Sequence, residues 1–117
     1  MIKIQSVCNI FSNSLLLFIF MNTHTLTKYY GQEQRTLFLS RSDLDRIPDF
    51  TDWEFRENVL VVCLSKNNLT NLNGLEKLTN LKALYIYKNK IAHNDIAIFK
   101  QINPHIRVFD DDSECPD

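Results

Sequence analysis

Glycine is scarce in this chain: Gly31 and Gly74 are the only two in 117 residues. A phosphate-cradling loop needs several glycines gathered ahead of a helix, so nucleotide chemistry of that kind is excluded. Cysteine is nearly as rare. Cys8, Cys63 and Cys115 stand far apart and in odd number, which fits neither a disulfide framework nor a zinc pattern and reads as free thiols in a reducing setting. His24, His93 and His105 are scattered, without an H-x-x-x-H or C-x-x-C pair to hold a metal. The acids Asp110 to Asp112 lack the alternating ligands and glycine of a calcium loop. Motifs of the G-x-S-x-G or H-E-x-x-H type are missing too. The expectation is a non-enzyme with no metal and no cofactor. A one-sided charge is also lacking: 13 Lys and Arg face 14 Asp and Glu, for a net charge of −1. Nothing in that balance points to nucleic acid as a partner.

A long hydrophobic run is missing as well. The apolar stretch from Leu15 to Met21 is too short to span a bilayer. Three readings of the first twenty residues stand open: sequence upstream of a true start at Met21, a secretion signal, or an element packed on the fold. Against a signal stand the single lysine, the interruption by Ser12, Asn13 and Ser14, and the lack of an A-x-A site. The expected location is cytoplasmic, or secreted if residues 1–25 act as a signal. The length suits one domain, divided into a leader (1–20), an N-terminal cap (21–34), a repeat region (35–112) and an acidic tail (113–117). Five of the 14 acids (Asp110, Asp111, Asp112, Glu114 and Asp117) crowd the last eight residues, leaving nine for the rest of the chain. Such a tail reads as a solvated segment.

What the chain does have is an internal repeat. "LKALYIYKNKI" (81–91) lies under "VLVVCLSKNNL" (59–69) at an offset of 22. Val59 meets Leu81, Val62 meets Leu84, Leu64 meets Ile86, Asn67 meets Asn89, and Leu69 meets Ile91. Both copies fill the pattern L-x-x-L-x-L-x-x-N-x-L. Upstream, Leu37, Leu39, Ser42 and Leu44 match more weakly at an offset of 25. Downstream, Ile106, Val108 and Asp111 match at a further 22. On these residues, together with "NLTNLNGLEKLTNLKALYIYKNKI", the region 35–112 resembles the leucine-rich-repeat proteins. It is similar to the 22-residue class found in bacterial internalin-like proteins and eukaryotic phosphatase-regulator-type proteins. The resemblance implies an α/β fold: a short right-handed solenoid with a parallel sheet of about four short strands on its concave face. It also implies a protein-binding role.

Physical reasoning reaches a similar picture separately. Each unit opens with a short strand such as Leu84–Ile86, in which Leu84 and Ile86 face inward and Tyr85 outward. The asparagine that follows can both donate to and accept from backbone groups in the turn, so Asn67 and Asn89 form a ladder. Ser42 and Asp111 take that slot at the ends. The return legs bury Ile47, Phe50 and Trp53 in the first unit, and Leu72, Leu75 and Leu78 in the second as a 3₁₀ or extended segment. In the third, Asn94 caps a helix that turns Ile96, Phe99 and Ile102 inward and stops at Pro104. Residues 26–34 are expected to cover the first end, and the helix with Phe109 the last.

The outward positions form the candidate site. The central column is Phe38, Cys63, Tyr85 and Arg107. A second is Ser40, Ser65, Tyr87 and Phe109. A third is Arg41, Lys66, Lys88 and Asp110. Tyrosine and arginine are favoured at interface hot spots, so Phe38, Arg41, Cys63, Lys66, Tyr85, Tyr87, Lys88, Arg107 and Phe109 are expected to contact a protein partner with acidic and apolar surface. Cys63 reads as a small residue among aromatics rather than a reactive thiol, because the repeat places no base beside it. The competing reading is a structural or decayed repeat fragment without a partner of its own, or a secreted surface protein.

Overall fold

The computed structural model describes residues 27, 29–31, 35–113 and 115. The leader and Cys8 lie outside the described residues.

Four three-residue strands form one sheet in the order β1–β2–β3–β4: β1 (Thr36–Phe38), β2 (Val61–Cys63), β3 (Ala83–Tyr85) and β4 (Arg107–Phe109). All neighbouring pairs are parallel. Parallel strands that follow one another in the chain require a return leg on one side of the sheet, because only a crossover brings the chain back to start in the same direction. Alternation then splits each strand between two faces. Leu37, Val62, Leu84 and Val108 stand in one row across the sheet, the first three fully buried and Val108 half-buried. Leu39, Leu64 and Ile86 follow them into the same core. Strands this short hold little by themselves. They persist because each apolar row packs on the return legs, and one unit cannot cover its own face.

The return legs differ. The first carries Ile47, Phe50 and Trp53 into the core. The second makes a 3₁₀ turn at Leu75–Lys77, burying Leu75 and Leu78, with Leu72 half-buried. Gly74 opens that turn at φ 109°, and a Cβ there would meet Ile47 Cγ2 at 3.3 Å. Both the left-handed backbone and the close approach call for glycine. The third leg is a helix, α1 (His93–Ile102). Its N-cap is Ala92 without a side-chain cap bond, so Asn94 sits inside the first turn and is not the cap expected of it. Ile96 is buried and Phe99 half-buried, but Ile102 is 70% exposed, contrary to the inward role expected of it. At the helix end, Asn103 Nδ2 donates to the Phe99 carbonyl at 3.0 Å.

The last unit also differs in register. β4 pairs with β3 at an offset of 24, Leu84 opposite Val108, where 22 was expected. A slip of two residues leaves every side chain on the same face and moves it along the strand. Val108, not Ile106, therefore carries the core row. The first three strands also begin one residue earlier than the inward pair suggested, as in Ala83–Tyr85, whereas β4 begins one residue later, at Arg107.

The first edge is closed. Tyr30 makes an antiparallel bridge with Leu37, and Tyr29 and Tyr30 are buried. The Tyr30 ring meets Trp53 at 5.1 Å and Phe55 at 5.4 Å, which gives Phe55 the place its spacing did not reveal. Burial holds the Tyr30 hydroxyl above its usual pKa. Among the described residues no helix is long and apolar enough to cross a membrane.

Candidate functional site on the outer sheet face

The turn after each strand positions the site, and asparagine shapes the turn. Asn67 Nδ2 donates to the carbonyls of Leu39 and Leu64, both at 2.9 Å. Its Oδ1 accepts the amides of Ser42 at 2.9 Å and Leu44 at 3.0 Å. One amide thus satisfies backbone groups in its own turn and in the preceding one. Asn89 does the same one unit later. It donates to Leu64 and Ile86 at 2.9 and 3.0 Å and accepts from the Leu69 amide at 3.0 Å. Asn67 is 5% exposed, whereas Asn89 is half-buried. Buried backbone polar groups are costly when unpaired, so these two side chains fix where the chain leaves the sheet.

The residue just before each slot is held in the left-handed region: Arg41 at φ 54°, Lys66 at φ 62° and Lys88 at φ 56°. Each sits directly ahead of Ser42, Asn67 or Asn89. That conformation disfavours any side chain but glycine's, yet three cations occupy it, and all three are exposed. The turns thus present a line of positive charge in a set direction. Their backbones are tied across the units: the Arg41 amide donates to the Ser65 carbonyl at 3.1 Å and the Lys66 amide to that of Tyr87 at 2.6 Å. The Tyr87 amide donates to Ser65 Oγ at 3.1 Å.

The register sets the central outward row as Phe38, Cys63, Tyr85 and Phe109. Phe109 belongs there and not in the second column, while Arg107 pairs with Ala83 and lies one column earlier, in place of the central position expected of it. Tyr85 and Phe109 stack with centroids 4.5 Å apart and planes at 9°. The Arg107 guanidinium lies 5.2 Å from the Phe109 ring and Lys88 Nζ 5.7 Å from that of Tyr87, both within cation–π range. Phe109 therefore covers Tyr85 on the outer face and not the end of the core, where it was expected.

This row points away from the core and yet is covered. Phe38 is 6%, Cys63 1% and Tyr85 9% exposed. Part of the cover is a bond that three widely spaced cysteines did not reveal: Cys63 is joined to Cys115 as a disulfide, with Cα atoms 5.7 Å apart. Free thiols at these two positions are corrected accordingly. A chain leaving β4 must pass over β3 to reach Cys63 on β2, so residues 110–113 and Cys115 return across the outer face. Within them Asp111 accepts the Ser113 hydroxyl at 2.6 Å and its amide at 3.1 Å. These bonds, the hydroxyl's first, hold the Asp111 carboxyl below its usual pKa. Lys100 pairs with Asp110 at 3.9 Å.

Of the nine residues expected to meet a partner, Arg41, Lys66, Lys88 and Arg107 are exposed, Tyr87 and Phe109 are half-buried, and Phe38, Cys63 and Tyr85 are covered. Among the described residues no group of His, Cys, Asp and Glu gathers as a metal site would require. No known family model matches the chain, and no curated protein aligns with it.

Proposed function

We propose that the chain is a short leucine-rich-repeat solenoid of right hand, and that the outer, concave face of its sheet binds a protein partner as a non-catalytic adaptor or inhibitor. One observation carries the reading: three left-handed turns project Arg41, Lys66 and Lys88 beside an aromatic row. Asp43 takes the same conformation at φ 55°, so it is the recurrence of a cation directly ahead of all three turn slots, and not the conformation alone, that supports a role for the charge. Aromatic rings next to fixed cations suit a partner that sets acidic side chains around an apolar centre. The asparagine bonds and the four-strand parallel register support the repeat assignment, since both recur from unit to unit. A structural role without a partner is favoured by one fact, that the chain itself covers Phe38, Cys63 and Tyr85.

The test is crosslinked capture by the full chain under reducing conditions, comparing two double variants of equal charge change. Lys66→Glu with Lys88→Glu is expected to abolish capture of a defined partner. Lys77→Glu with Lys82→Glu, exposed but outside the cation line, is expected to leave it intact. Loss in both, or in the second alone, sinks the proposed face. Tyr87→Ala is expected to weaken the same complex by about 2 kcal/mol, as for a central aromatic contact.

A further inference from the structure

We infer that the Cys63–Cys115 disulfide is a reversible strap that closes the acidic tail over the outer sheet face and, when reduced, uncovers that face. Three observations meet here. First, the bond joins the centre of the outer face, on β2, to Cys115, which lies beyond the end of β4. Second, among the described residues the ties between residues 110–113 and 115 and the body are this bond and the exposed Lys100–Asp110 pair. An exposed ion pair at 3.9 Å holds little. Of these two ties the disulfide is the strong one. Third, the tail carries what the face is suited to receive. Asp110, Asp111 and Asp112 are exposed acids that follow directly on Phe109, the last residue of β4, whose ring lies on Tyr85. The tail brings the acidic part of the partner chemistry proposed above to the outer face, held there through Cys63.

The two sulfurs are unequal. Cys63 is 1% exposed, while Cys115 is half-buried. A dithiol reductant attacks the more open Cys115 sulfur as its thiolate, forming a mixed disulfide and expelling the Cys63 thiolate, which takes up a proton. The reductant's second thiol then loses its proton and displaces Cys115, which is protonated in turn. Two electrons and two hydrogens pass from the reductant to the protein, and the reductant leaves as its own disulfide. Exchange requires access to a sulfur, and of the two residues Cys115 is the more open.

This inference rests on the proposed face, so its test separates the two. The full chain is prepared oxidised and reduced, beside Cys115→Ser, and the bond is mapped by non-reducing peptide mass spectrometry. Tyrosine nitration then reads the exposure of Tyr85 and Tyr87. The probe for binding is a fluorescent peptide of residues 109–117 with Ser in place of Cys115. Nitration of Tyr85 is expected to rise several-fold on reduction and in Cys115→Ser, with unchanged circular dichroism. The peptide is expected to bind the reduced chain and Cys115→Ser at least tenfold more tightly than the oxidised chain. A bond mapped to Cys8 instead, or equal nitration in both redox forms, overturns the strap. Redox-dependent nitration with no peptide binding in any form upholds the cover and overturns the proposed binding face.

Discussion

The two ends of the sheet are finished in opposite ways. Beside β1, Tyr30 pairs with Leu37 and its ring meets Trp53 and Phe55. Trp53 is fully buried, and its indole N–H donates to Thr27 Oγ1 at 3.0 Å. Beside β4, Ile106 and Val108 are half-buried, Ile98 is 45% exposed and Ile102 is 70% exposed. The first end is covered by large rings with their polar tips satisfied. The last is tied across the sheet by its disulfide and left partly open to water. A parallel stack exposes a core row at each end, and aromatic residues close one with few residues because each buries a large area. The comparison teaches that stability in this chain is front-loaded: the same kind of residue matters more near β1 than near β4.

The strongest way to break that contrast is Trp53→Ala. Removing a fully buried indole from the closed end is expected to cost about 3–5 kcal/mol, read as a fall in the urea midpoint. A cost below about 1 kcal/mol would show that the rings close nothing. The asparagine pair sharpens it with a smaller effect. Asn67→Leu is expected to destabilise by about 2–3 kcal/mol, because it orphans the buried amides of Ser42 and Leu44. Asn89→Leu, half-buried and nearer the open end, is expected to cost about 1–2 kcal/mol in the same melts. Equal costs would remove the gradient. The smallest effect belongs to the open end itself. Ile102→Ser is expected to change stability by no more than about 0.5 kcal/mol, since the side chain already faces water. A loss several times larger would mean that something covers Ile102 in solution.

Much of the interior was legible in the sequence, and for a physical reason. A parallel stack repeats its inward positions, so Leu37, Val62 and Leu84 with Asn67 and Asn89 announce themselves by spacing alone. The last unit hid its register because Ile106 and Val108 alternate, and a shift of two along an alternating pair preserves the pattern. Ile102 was misplaced for another reason. A three-residue step from Phe99 looks inward on a helix, but the helix ends there and Ile102 in its final turn is 70% exposed. The outer face was the least legible region. Its central column followed from alternation in the first three units, but the slip of the last unit displaced Arg107 and Phe109, and its cover was not legible, because three cysteines far apart in sequence carry no sign of which two meet.

One feature of the sheet bears on how such a chain can change its length. Successive strands start 25, 22 and 24 residues apart, Thr36 to Val61 to Ala83 to Arg107, and still pair residue for residue. The surplus has all gone into the return legs, one of which is irregular, one a 3₁₀ turn and one a helix. Insertions and deletions are therefore confined by geometry to one side of the molecule. A residue added between Asn67 and Leu81 lengthens a loop, whereas a residue added within Ala83–Tyr85 turns a core leucine into the solvent. The return side is where this chain can drift in length. The face that carries the cations keeps its spacing while that happens.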